Sequence, residues 1–178
     1  MLKGCIGNSK YVSTRVSAPA LAALIFLGGS TCWAQSRPDP AEEQLTGTWK
    51  LVSISATRPD GTKEQPFVRG EGSLMFDANG RYAALLCKLG RPKFASNNRL
   101  KGSADEYRAT AEGCNNHWGK YRVDPMGHTF TLIIENATFP NLIGAEQTRP
   151  FTISGNELQY STPGAAGGTA VAIWERAR

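Results

Sequence analysis

Gln147 and Arg149 carry the most specific chemistry in this sequence. They alternate with Phe151 and Ile153, and alternation along a strand sets all four on one side. Phe151 and Ile153 belong in an interior, so the two polar side chains are drawn inward near one rim. A buried guanidinium needs an anionic partner. Two sources are open: Glu135 or Glu146, giving a structural ion pair, or the carboxylate of a bound molecule. A bulge at Pro150 would reverse the parity. The second group is His117-Trp118-x-x-Tyr121. It sets a proton-transfer side chain beside aromatic walls, and equally fits a half-buried histidine closing a helix end.

His117, Glu135 and Glu146 are therefore the catalytic candidates, suited to a cofactor-free isomerase, cyclase or hydratase with one acid/base group shifted by burial. Phe94, His117, Tyr121, Gln147 and Arg149 are the ligand-binding candidates. Phe94 sits in a polar loop and either lids a mouth or anchors that loop to an outer wall. Asp105 and Glu106 serve a helix start rather than an acid/base pair. The two histidines, His117 and His128, form no His-x-x-x-His pair, and Cys-x-x-Cys is absent, so no metal site is expected. No Gly-x-Ser-x-Gly is present. Gly70-Glu71-Gly72 opens like a phosphate loop, but Met75 stands at the third glycine and no helix follows. No cofactor is expected.

These side chains must be held by strands. Leu45 to Val52 opens the first, with Gly47 allowing a close backbone approach and Trp49 supplying a ring large enough to plug one end. Strands are predicted over Trp49 to Thr57, Gly72 to Phe76, Arg81 to Leu89, Trp118 to Val123, His128 to Glu135, Glu146 to Ile153, Glu157 to Ser161 and Ala170 to Arg176. Pro59-Asp60-Gly61, Asp77-Ala78-Asn79-Gly80 and Ser154-Gly155-Asn156 read as turns. One helix is predicted, with Ser103 and Glu106 as a capping box and Gly113 as its stop. Eight short strands joined mainly by tight turns favour a meander closing on itself, an all-β eight-stranded antiparallel barrel with one short helix. A sandwich is the competing arrangement.

The first 34 residues stand apart. Lys3, Lys10 and Arg15 precede an apolar core from Ala18 to Gly29, and Cys32-Trp33-Ala34 ends on a small residue: the plan of a secretory signal peptide cleaved after Ala34. The apolar run is shorter than the ~20 residues a spanning helix needs. The 178-residue chain carries a net charge of +5. Three of its 20 basic residues and none of its 15 acidic ones fall in the leader, leaving 17 against 15, or +2. No dense basic cluster remains, so nucleic acid is not an expected partner. Residues 35–44, with two prolines, read as a tether or a short helical lid, and 45–178 as the barrel domain. Cys87 and Cys114 survive cleavage, an even pair for an oxidising compartment. They are disulfide candidates, closing a loop of about 28 residues worth roughly 3 kcal/mol.

The ordered pieces Gly47-Thr48-Trp49-Lys50-Leu51-Val52-Ser53, Arg91-Pro92-Lys93-Phe94-Ala95-Ser96, Glu106-Tyr107-Arg108, Gly119-Lys120-Tyr121-Arg122-Val123-Asp124, Phe139-Pro140-Asn141, Glu146-Gln147 and Trp174-Glu175-Arg176 resemble the bacterial lipocalin-like domain family from about Leu45 to Arg176. The resemblance implies an eight-stranded barrel in which Arg176 covers the Trp49 ring. It also implies that Trp49, Leu51, Ser53 and Ser55 face inward, the two serines leaving space. The pair Cys87 and Cys114 departs from the family. The expected function is a periplasmic or secreted barrel, monomer or weak homodimer, holding a small, mostly hydrophobic molecule in its lumen. An enzyme built on His117, Glu135 or Glu146 is one alternative. A protein-binding barrel such as a protease inhibitor, inserting the Arg37 to Gln44 tether, is another.

Overall fold

The computed structural model describes residues 40–126, 128–164 and 167–178. The leader expected over 1–34 and the first part of the expected tether lie outside them. The described elements are α1 (Pro40–Leu45), β1 (Gly47–Thr57), β2 (Lys63–Val68), β3 (Gly72–Phe76), β4 (Arg81–Leu86), α2 (Ala104–Gly113), β5 (His117–Asp124), β6 (Thr129–Ala137), β7 (Glu146–Ser154), β8 (Glu157–Pro163) and β9 (Thr169–Arg176). A single 3-10 turn, Pro140–Leu142, precedes β7.

Every neighbouring pair is antiparallel, and β1 returns to pair with β9 from Trp49↔Arg176 to Thr57↔Thr169. The sheet is thus a barrel of eight strands, β1 and β3 to β9, and closure satisfies the backbone groups that two free edges would expose. The ninth strand, β2, was not expected from sequence. It pairs with the second half of β1, Ser53↔Val68 to Thr57↔Lys63, while β3 pairs with the first half, Gly47↔Phe76 to Lys50↔Ser73. The two strands fill one edge of β1 end to end, parted by a turn at residues 69–71.

Inward side chains separate the two ends. Trp49, Leu51, Leu74, Phe76, Tyr121, Phe130, Leu158 and Trp174 are buried and pack the end where β1 begins. There Phe76 meets Tyr121 and Phe130 edge-on, with ring centroids 4.9 and 5.5 Å apart. Toward the other end the inward positions turn small: Ala56, Ala84, Ala170 and Ala172. One expectation is corrected here. The register of β1 against β9 shifts between Leu51 and Ser53, and the burial parity shifts with it. Ile54 and Ala56 point inward, and Ser53 and Ser55 do not line the lumen. The small inward residues are instead Ala56 on β1 itself, Ala84 on β4, and Ala170 and Ala172 on β9.

The Gly-x-Trp opening is explained by the plugged end. Trp49 Nε1 donates to the Leu45 carbonyl at 2.9 Å. The Arg176 guanidinium lies 4.1 Å from the Trp49 ring centroid and donates to the Thr46 and Gln44 carbonyls. Gly47 has φ +128°, and a Cβ there would stand 3.0 Å from Arg176 Nη1. Residues 40–45 are accordingly a helix docked on the barrel, with Leu45 fully buried, and not a free segment able to insert into a partner.

At the opposite end the Cys87–Cys114 disulfide is formed, its Cα atoms 4.2 Å apart. It staples the segment that joins β4 to β5. That segment holds α2, whose capping box is present as expected: Ser103 Oγ accepts from Glu106 N, and Ser103 N donates to Glu106 Oε2. Most of α2 is exposed, so the disulfide and the cap fix it more than packing does.

Candidate functional site

The lumen near the unplugged end is built by the starts of β5, β7 and β9 and the ends of β4 and β8. Strand β7 runs without a bulge, Pro150 pointing outward opposite Thr129. Gln147, Arg149, Phe151 and Ile153 therefore share the inward face. Arg149 is buried at 7% exposure, and its Nη2 donates to Gln147 Oε1.

The carboxylates considered as partners for Arg149 are engaged elsewhere. Glu135 holds Arg81 through two hydrogen bonds of 2.8 and 2.7 Å on the outer surface. Glu146 holds Arg122 at 2.7 Å, also outside. Both are therefore corrected as lumen acid/base candidates as well, because their strand positions point away from it. Among the described residues no carboxylate pairs with Arg149, and its Nε has no hydrogen-bond acceptor.

What surrounds Arg149 is neutral. His117 is buried, and its Nδ1 lies 2.8 Å from Tyr82 Oη. Burial, with the Arg149 charge added, pushes the imidazole down to about 4, so it is neutral at pH 7. Burial raises Tyr82 well above an ordinary phenol and pushes Tyr160 up to about 12, Arg149 opposing both. Burial likewise lowers Arg149, against the pull of the Tyr160 and Tyr82 oxygens. Tyr160 is half-buried on the inward face of β8. Its ring stacks on Trp174, centroids 6.3 Å apart and planes inclined by 17°. Trp174 Nε1 is buried as well. The Tyr160 oxygen feels it, but no well-formed hydrogen bond joins the two, and the indole N–H has no other acceptor.

The other candidates lie apart. Tyr121 Oη donates to the Asp77 carbonyl at 2.8 Å and sits 3.4 Å from Thr46 Oγ1, at the plugged end. Phe94 packs edge-on against Tyr107 of α2 at 5.4 Å, which anchors its loop to the helix. A groove of about 390 Å³ between Gly47, Met75, Asp77 and Arg81 opens to solvent beside the plugged end. Tyr82, Tyr160 and Trp174 were missed from sequence. Alternation of Tyr82 with Ala84 and Leu86, and of Leu158 with Tyr160, was the signal that marks them as inward.

The closed antiparallel barrel agrees with the sequence comparison. A lipocalin-like domain matches residues 46–177. The chain belongs to the lipocalin-like domain family. No curated protein matches it. Similar solved structures include a redesigned β-barrel, 16% identical with a TM-score of 0.43, covering 80% of this chain and 100% of that one. An uncharacterized protein from Bacteroides eggerthii DSM 20697 is 13% identical with a TM-score of 0.42, covering 75% and 99%. A point mutant of the fluorescent protein UnaG is 15% identical with a TM-score of 0.33, covering 76% and 98%. Within this lipocalin-like barrel, no group of three or more His, Cys, Asp or Glu side chains is arranged to hold a metal among the described residues. No helix among them is long and apolar enough to cross a membrane.

Proposed function

We propose that this lipocalin-like protein binds one small, mostly apolar molecule in the lumen beside Arg149. The observation that carries this reading is a set of inward-facing, buried or half-buried polar side chains left incompletely satisfied beside small inward alanines. Tyr82, His117, Gln147, Arg149 and Tyr160 converge there, and Arg149 Nε and Trp174 Nε1 lack a well-formed hydrogen bond. Buried polar groups cost stability unless paired, and a ligand that pairs them offsets that cost. The signal-like leader supports a secreted or periplasmic setting, where a carrier meets its cargo outside the cytoplasm.

A pKa near 4 leaves His117 a poor proton acceptor at neutral pH, since an effective general base titrates near the working pH. We therefore assign it an orienting role through Tyr82. The docking of α1 on its own barrel argues against an inhibitor that inserts this segment.

Native mass spectrometry of protein purified from a periplasmic expression host tests the reading. The expected result is a retained small molecule whose removal lowers the melting temperature. A ligand at about a hundredfold excess over its Kd adds about 2.7 kcal/mol. A bare mass, together with no melting shift across a panel of small amphiphiles, would end the proposal.

A further inference from the structure

We propose that the cargo is an amphiphile with a single carboxylate headgroup, held by Arg149. This rests on the lumen-binding reading above and names the ligand class for that site.

The first argument is charge. Arg149 is a cation at 7% exposure, and among the described residues its nearest charged and titratable company is Tyr82, Tyr160 and the neutral His117. A buried cation without a counter-ion is strongly unfavourable, and an arriving anion removes that penalty. The second argument is donor geometry. Arg149 Nε and Trp174 Nε1 are both buried donors without a well-formed hydrogen bond. Tyr160 interacts with both residues: its ring stacks on Trp174, and its oxygen attracts the Arg149 charge. A carboxylate is acceptor-only, with two oxygens and about four acceptor positions. The third is stoichiometry of charge. One guanidinium balances a monoanion, whereas a phosphate monoester near −2 would keep an uncompensated charge in an apolar space. The walls beside the cluster, Ala84, Leu86, Ala170 and Ala172, suit a tail and not a second polar group.

The unplugged end is charged in the matching sense. The stapled segment joining β4 to β5 carries six basic residues against three acidic ones, Asp105, Glu106 and Glu112, a net charge of +3, and Lys88, Lys93, Arg99 and Lys101 are in no ion pair among the described residues. Cations beside a mouth raise the local concentration and capture rate of anions.

The test is calorimetric titration of the full mature chain with octanoate and decanoate against octanol and decanol. At least one acid is expected to bind about ten- to a hundredfold tighter than its alcohol, the range for hydrogen bonds to a charged group. Arg149→Met should erase that preference by weakening the acid by about ten- to a hundredfold more than the alcohol. Arg149→Lys, which keeps the charge and loses Nε, should retain a reduced preference and covers the case that the Met variant does not fold. Acid and alcohol binding the wild type equally would overturn the headgroup assignment while leaving lumen binding in place. Neither acid nor alcohol binding would take the lumen reading down with it.

Discussion

A neutral imidazole in a closed space ties the protein's stability to pH. His117 titrates near 4 when folded and near 6.5 when free, so the unfolded chain holds more protons between those values. Stability is intact above about pH 6.5 and is lost as pH falls toward 4, by on the order of 3 kcal/mol. Tyr82 and Arg149, the groups facing the ring, do not change charge in that window. Urea unfolding at several pH values should show this slope, and His117→Gln should flatten it. Equal slopes would mean that the ring protonates without penalty. Gly47 makes a second residue-scale case. Its φ of +128° is a region where an L side chain is strained, and a new Cβ would press on Arg176. Gly47→Ala should cost about 1–3 kcal/mol in denaturant unfolding. Wild-type stability in that variant would mean the backbone relaxes freely there.

At the scale of elements, α2 depends on its staple. The Cys87–Cys114 separation of 27 residues implies about 3–4 kcal/mol of loop-closure stabilisation. Replacing both cysteines by serine should strip amide-exchange protection from residues 88–113 first, because few of their side chains are buried. Loss of protection in β6 and β7 at the same rate would contradict that order. The plug helix behaves oppositely. Leu45 is fully buried, so Leu45→Ala should cost about 2–5 kcal/mol and act on the whole barrel. Element by element, what was readable in sequence follows regularity. Strand β7 keeps its register, so Phe151 and Ile153 correctly announced Arg149 and Gln147. Strand β1 does not, and nothing in Val52-Ser53 signals the bulge that turns Ser53 and Ser55 away. Strand β2, Lys-Glu-Gln-Pro-Phe-Val, holds a proline and three polar residues, which conceals a strand paired on one edge only. The ion pairs of Glu135 and Glu146 are tertiary facts, set by which outer neighbour reaches them.

The molecule as a whole divides across its axis. Aromatic and aliphatic side chains fill the end around Trp49, the polar cluster abuts them through Phe130 and Trp174, and alanines follow. Its seam, β1 against β9, is long, and the amides of Leu51 to Ala56 should exchange only through global unfolding. Exchange there at the rate of the turns would mean the barrel opens along that seam. The placement of the indoles has an optical consequence. Trp118 is 42% exposed on the outer wall, whereas Trp49 and Trp174 are fully buried, one beneath a guanidinium and one against Tyr160. Emission should therefore resolve into a red component that acrylamide quenches and a blue one that it does not. In a chain starting at Gln35, which lacks Trp33, with Trp118 replaced by phenylalanine, the remaining fluorescence becomes a private window onto whatever occupies the interior.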